Sequence, residues 1–186
     1  MPRFNFIQTT LNGLVLVQRM ATEDHRGFLS RIYCADEFSK AGINKPIIQI
    51  NHTLTCKKGS VRGLHFQHSP FMETKLVSCL KGEVFDVAVD LRRDSATFLH
   101  WHGETLSAEN RKSLFIPEGF AHGFQALTDD CELFYLHSAA YHPEAEDVLN
   151  IVDPKLNISW PLPIRSLSER DRNRPFIDNH FQGAAS

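Results

Sequence analysis

An all-β fold, a sandwich or barrel with a few short helices, is what this sequence predicts, and three observations carry it. Apolar and polar residues alternate with period two over several segments, Gly, Pro and Asp-Asp turns interrupt that alternation at short intervals, and helix-length periodicity is scarce. Fourteen Phe against ten Gly point to an aromatic-rich core of strands.

Taken along the chain, residues 36–42 read as two helical turns closed by Gly42. Residues 47–54 alternate, with Gln49, Asn51 and Thr53 on one face and Ile48, Ile50 and Leu54 on the other. Residues 75–80 form a strand that ends in a Lys81-Gly82 turn. Residues 83–91 then put Phe85, Val87, Val89 and Leu91 on one face, with Asp86 and Asp90 opposite. Over residues 131–137, Leu133, Tyr135 and His137 share a face, and Tyr141 joins them if the strand continues. Ser168 followed three residues later by Asp171 is a helix-start box. No repeat, low-complexity segment or linker divides the chain, so one domain over residues 1–186 is expected, with a frayed tail at 183–186.

Bulk properties exclude several classes. A net charge of −2 does not suit a protein that holds nucleic acid by neutralising phosphates. No apolar run approaches the roughly 18 residues that span a bilayer, and the N-terminus has no signal-peptide core. Cys34, Cys56, Cys79 and Cys131 lack any Cys-x-x-Cys pairing, which favours free thiols in a reducing cytoplasm.

The polar strand positions are Gln49, Asn51, His65, Lys75, Asp86, His122 and Tyr135. Taken singly, each has a plainer reading. A strand histidine is more often structural than catalytic, a strand tyrosine packs with its hydroxyl satisfied, Lys75 alone is a solvated lysine, and Asp171 alone is a cap acid. His52, His68, His100 and His102 read as surface or loop residues. Taken together, the set has a base, an acid, a cation and an orienting carboxylate, which is what proton abstraction beside a carbonyl requires. The cation stabilises the developing enolate, a term of about 3–4 kcal/mol per donor. A histidine with its usual pKa of about 6.5 suits the base.

Val61-Arg62-Gly63-Leu64-His65-Phe66-Gln67 and Ile116-Pro117-Glu118-Gly119-Phe120-Ala121-His122-Gly123-Phe124 are similar to the two metal-binding motifs of cupins, the double-stranded β-helix or jelly-roll barrels. The usual His-x-His has become His65-x-Gln67, and an amide is a poor ligand for a transition metal. This frees His65 for acid–base work, with no metal or other cofactor required. Further stretches extend the likeness: Asp24-His-Arg-Gly27, Lys75-Leu-Val77, residues 82–92, Leu106-Ser-Ala-Glu-Asn110, Asp153-Pro154, Ile158-Ser-Trp-Pro161 and Leu167-Ser-Glu-Arg-Asp171. From about Asp24 to about Pro175 the chain resembles the dTDP-4-dehydrorhamnose 3,5-epimerase family, metal-independent cupins acting on nucleotide-linked 4-keto-6-deoxyhexoses.

The resemblance implies that His65 is the general base, Asp171 its orienting partner, Tyr135 the acid on the opposite face and Lys75 the cation near the C4 oxygen. It also implies that Arg62 and His122 line the sugar and phosphate site, that Gln49, Asn51 and Tyr141 are further substrate contacts, and that Glu73 and Arg170 belong to the same binding set. Arg26 falls in an N-terminal segment, about residues 1–45, that reaches a neighbouring subunit's site in a homodimer. The chain departs from the family pattern at Leu29, where an aromatic is usual, at Arg31, where an acid is usual, and at Glu73, where glutamine is common. All three lie where the family handles the nucleotide end, and they leave dTDP, CDP or another nucleotide open. Inversion at C3, at C5 or at both is open too. The rival readings are a 3,4-ketoisomerase, a non-catalytic sugar-binding cupin, and a metal-dependent cupin using His65, Glu73 and His122.

Overall fold

Alternation becomes strand wherever one face of the chain can be buried, and residues 2–184 are described by a computed structural model. In chain order the elements are β1 (Phe4–Gln8), β2 (Val15–Arg19), β3 (Thr22–Asp24), β4 (Gly27–Leu29), α1 (Ala35–Lys40), β5 (Gln49–Thr55), β6 (Val61–Gln67) and β7 (Lys75–Lys81). They continue with β8 (Glu83–Asp90), β9 (Trp101–Ser107), β10 (Lys112–Ile116), β11 (Phe120–Ala126), β12 (Cys131–His137), β13 (Glu146–Val148) and α2 (Glu169–Arg172). A six-stranded sheet, β1-β2-β10-β7-β12-β5, faces a five-stranded sheet, β13-β6-β11-β8-β9, while β3 and β4 form a separate hairpin. This is the two-sheet sandwich that the alternation predicted, in the jelly-roll form that the cupin resemblance implied.

Burial follows strand parity. Val84 and Ala88 of β8 meet Leu114, Leu133 and Phe124 between the sheets. The other face of β8, Phe85, Val87 and Val89, is covered instead by the C-terminal segment through Leu149, Ile151, Leu156 and Trp160. A third cluster, Phe4, Val17, Phe38 and Phe115, seats α1 against the outside of the six-stranded sheet.

β5 is the exception. Its polar face looks into the barrel, while Ile48, Ile50 and Leu54 are each about half exposed on its outer side. An edge strand with an uncovered apolar row is unusual in a lone subunit.

The register of β6 matters most for the site. It pairs antiparallel with β11 so that His65 faces His122 and Arg62 faces Phe124, with one residue between them on β11, Gly123, against two on β6, Gly63 and Leu64. This bulge puts Arg62 and His65 on the same face, which strict alternation forbids. The strands meet there at glycines: a side-chain carbon on Gly123 would come within 2.7 Å of the Arg62 carbonyl oxygen and 3.0 Å of the Gly63 Cα.

Three details correct the sequence reading. The β12 strand stops at His137, so Tyr141 is brought back by a loop and not by a longer strand. His102 lies half-buried within β9, where burial lowers its pKa, and is no loop residue. Gly183 and Ala184 are not frayed, since the Ala184 N–H donates to the Leu91 carbonyl and Ala184 is buried; residues 185–186 lie outside the described part.

Gly123→Ala is therefore expected to overpack the β6–β11 contact and lower stability by about 1–3 kcal/mol. Denaturant unfolding of the variant against the parent protein measures it.

Candidate active site

His65, on β6, points into the barrel from the five-stranded sheet. Its Nε2–H donates to Asp171 Oδ1 at 3.0 Å. With the proton fixed on Nε2 by the carboxylate, the Nδ1 lone pair is free to take another.

Asp171 is buried in α2, which follows a strap tied to the start of β6: Arg165 N–H donates to the Gly59 carbonyl and Val61 N–H to that of Ser166. Ser168 caps α2 by accepting the Asp171 N–H at 3.1 Å. The cap expected from sequence is there, but the Asp171 carboxylate does not close a capping box. It is spent on His65. Burial pushes the Asp171 carboxyl up, and hydrogen bonds from His65, Ser168 and the Gly63 backbone more than reverse this, leaving it below the ordinary range.

Tyr135 enters the same cavity from β12 in the facing sheet, paired with Asn51 of β5 and Val77 of β7. Burial first, and then the nearby Asp86 carboxylate, push its phenol far above the usual value, so it is held as a proton donor. Beside it, His122 Nε2–H donates to Asp86 Oδ1 at 2.8 Å. The second oxygen of that buried aspartate has no partner among the described residues.

Lys75, which begins β7, is 8% exposed and reaches Glu73 at 3.2 Å and the His65 carbonyl at 3.4 Å. The Glu73 carboxyl is raised by burial, but bonds from His137 and Lys75 outweigh that and lower it overall.

His65, Tyr135, His122, Lys75 and Glu73 line one cavity of about 250 Å³, joined there by Gln49, Asn51, Arg62 and Tyr141, while Asp171 stands behind His65. Tyr141 stands half-exposed at the mouth; its N–H donates to Gln49 Oε1 and its hydroxyl to Glu146. Arg170 is just outside, tied to Glu146 at 2.7 Å. It lines an adjoining cavity of about 530 Å³ that shares His65 and Arg62 with the first. A larger cavity of about 860 Å³, around Arg92 and Ser95, lies away from all of these residues and has none of this chemistry.

Arg26 is not brought to the site. It sits on the β3–β4 turn, exposed and paired with Asp24. Arg31 is paired with Glu37 of α1. Sequence reasoning passed over His137, Thr53 and Glu146, which also line the cavity. The signal for His137 was present, since it shares a face with Tyr135.

Gln67, the residue that breaks the metal motif, does not line the cavity. Its amide donates to the carbonyls of Phe71 and Ala140 and accepts the His142 N–H, pinning two loops with three bonds that an imidazole cannot make together. No three His, Cys, Asp or Glu side chains among the described residues are grouped to hold a metal, and His65 and His122 each have an aspartate partner instead.

Fold and cavity together define a cupin barrel equipped for proton transfer. The sequence model described as dTDP-4-dehydrorhamnose 3,5-epimerase matches residues 8–179. The dTDP-4-dehydrorhamnose 3,5-epimerase of Methanothermobacter thermautotrophicus is 41% identical over 96% of this chain and 98% of its own. The 3,5-epimerase of Legionella pneumophila, solved with dTDP-4-keto-L-rhamnose, superposes with a TM-score of 0.86 at 40% identity, covering 90% of this chain and 89% of that one. A 3′-monoepimerase of Streptomyces bikiniensis, solved with dTDP-quinovose, gives a TM-score of 0.85 at 34% identity over 90% and 85% of the two chains. The chain belongs to the dTDP-4-dehydrorhamnose 3,5-epimerase family.

The lowered Asp171 carboxyl has a stability consequence. The unfolded chain binds a proton there at higher pH than the folded one, so the stabilisation is present above about pH 4 and is lost as pH falls through the lower folded value. Unfolding midpoints between about pH 2 and pH 6 are expected to fall less steeply with acid in Asp171→Asn than in the parent protein.

Proposed function

We propose that this protein is an isomerase that epimerises a dTDP-linked 4-keto-6-deoxyhexose at C3, C5 or both. The observation that carries this reading is that a free imidazole nitrogen and a protonated phenol enter one cavity from opposite sheets. His65 Nδ1 takes the proton from the carbon next to the C4 ketone. The bonding pair moves into the ring and onto the ketone oxygen, where the Lys75 ammonium balances the charge. Tyr135 returns a proton to the same carbon from the other face as the enolate collapses, and the stereocentre is inverted. Asp171 holds the tautomer and stabilises the imidazolium.

Gln49, Asn51 and His122 line the sugar cavity in this reading, with Glu73 beside Lys75. Arg62, between the two cavities, and Arg170 on the second suit the diphosphate, while Tyr141 offers its ring at the mouth. Two relatives were solved with dTDP sugars, which supports dTDP over CDP here. Arg31, reversed in charge from the family pattern, is neutralised by Glu37 and adds no free cation. The 3′-monoepimerase likeness keeps inversion at C3 alone as a second reading.

We further propose one domain over residues 1–186, working as a homodimer in the cytoplasm. Arg26 lies outside its own subunit's cavity, beside exposed Phe28 and Leu29, and β5 presents Ile48 and Ile50 to solvent. A hairpin reaching a neighbour's cavity and a covered β5 face would account for both. No described helix is long and apolar enough to cross a membrane.

Incubation with dTDP-4-keto-6-deoxyglucose in heavy water is expected to place deuterium at C3, C5 or both, read by NMR. Absence of deuterium with this substrate and with its CDP counterpart would defeat the proposal. A moved carbonyl would mean a ketoisomerase, and binding without exchange a sugar-binding protein. His65→Asn is expected to lower turnover by about 10²–10⁴-fold. Tyr135→Phe should lose epimerisation while some exchange persists, and unchanged turnover would remove its acid role.

A further inference from the structure

Tyr135 has a second aromatic neighbour on its own strand. The His137 ring lies 6.0 Å from the Tyr135 ring, nearly parallel at 18°, and is buried at the wall of the cavity. The register of β12 puts His137 directly opposite Lys75 on one side and Gln49 on the other. Its two nitrogens are both engaged. Nδ1 is 2.8 Å from Glu73 Oε2, and Nε2 is 3.4 Å from the Asn51 amide nitrogen. The Asn51 N–H₂ can only donate, so Nε2 accepts and the proton sits on Nδ1, donating to Glu73. The other oxygen of Glu73 takes the Lys75 ammonium at 3.2 Å. Asn51, His137, Glu73 and Lys75 thus form one hydrogen-bonded row in which donation runs from both ends toward the Glu73 carboxylate.

We propose that His137 is a positioning residue for the epimerisation: by holding Glu73, it fixes where the Lys75 ammonium meets the oxygen that gains charge. The inference rests on the reaction proposed above. A lysine ammonium on a four-carbon stem has no preferred direction of its own, so something must aim it. Glu73 can do so only if its own carboxylate is fixed, and it precedes β7 in a loop, outside the ladder that orients Lys75. The Nδ1–H of His137 supplies that second anchor. Without it, one buried carboxylate oxygen loses its donor, and the carboxylate is free to turn toward the ammonium and draw it off the ketone. The row lines the same cavity as His65 and Tyr135, so its geometry is spent at the reacting end and not on the outer shell of the barrel.

The test is steady-state kinetics on dTDP-4-keto-6-deoxyglucose with thermal unfolding of each variant alongside. His137→Ala is expected to lower kcat about tenfold with KM within about twofold, since the interaction matters most when the oxygen carries charge. His137→Asn, which keeps an N–H near the Nδ1 position, should regain most of the loss. In a Lys75→Ala background His137→Ala should cost nothing more, because its action passes through Lys75. An unchanged kcat, no recovery with asparagine, or losses that simply multiply in the double variant would each overturn the proposal. Should His137→Ala not fold, Glu73→Gln carries the test: an N–H₂ then replaces one of the two oxygens and faces either the ammonium or the imidazole N–H, donor against donor, and wild-type kcat would overturn the proposal. The two readings fail separately. Wild-type protein with no deuterium exchange defeats the epimerase itself, whereas active wild type with unaffected variants defeats only the role of His137.

Discussion

The hydrogen bond between His65 and Asp171 joins residues 106 positions apart, and much of the fold serves to make it. A sheet face rich in Val and Phe would be uncovered if the chain ended after β13. The C-terminal segment covers that face, packing Ile151, Leu156 and Trp160 against it, with the Trp160 indole N–H bonded to the Ile151 carbonyl. The same segment then passes beside the start of β6 and delivers α2 beneath His65. Burial of apolar area, at about 25 cal/mol per Å², dwarfs what one hydrogen bond contributes. The hydrophobic cover therefore positions the carboxylate, and the carboxylate in turn selects the tautomer.

Strands were the legible part of the sequence because period two is a local property. The alternation in residues 47–54, 83–91 and 131–137 corresponds to β5, β8 and β12 with the faces correctly sorted. Resemblance to a family supplied most of the candidate residues, and nine of the twelve line one cavity. Asp171 lies behind His65 and Arg170 at the rim, while Arg26 stays on its exposed turn.

What could not be read depends on long-range geometry. Arg62 and His65 differ by three positions, so alternation places them on opposite faces; only the bulge opposite Gly123 makes them neighbours. Ser168 and Asp171 fit a capping box, yet the acid turns outward because a distant histidine competes for it. His137 looked like one more strand residue until the β7–β12 register set it against Lys75. Gln67 was read as a lost ligand. It is better described as a loop clasp, and its three bonds explain why an amide suits the position.

In the proposed reaction, the separation of acid and base between two sheets leaves the protein in a different state after each inversion than before it. On that proposal His65 ends with the extra proton and Tyr135 ends without one, so the protein itself has been isomerised. The imidazole, about one-third exposed, can shed its proton to solvent. The phenolate, walled in beside the Asp86 carboxylate, is strained in charge and must be refilled before the next cycle. A protein built this way keeps a one-cycle memory of the direction in which it last worked, and the depth of Tyr135 sets how quickly that memory fades.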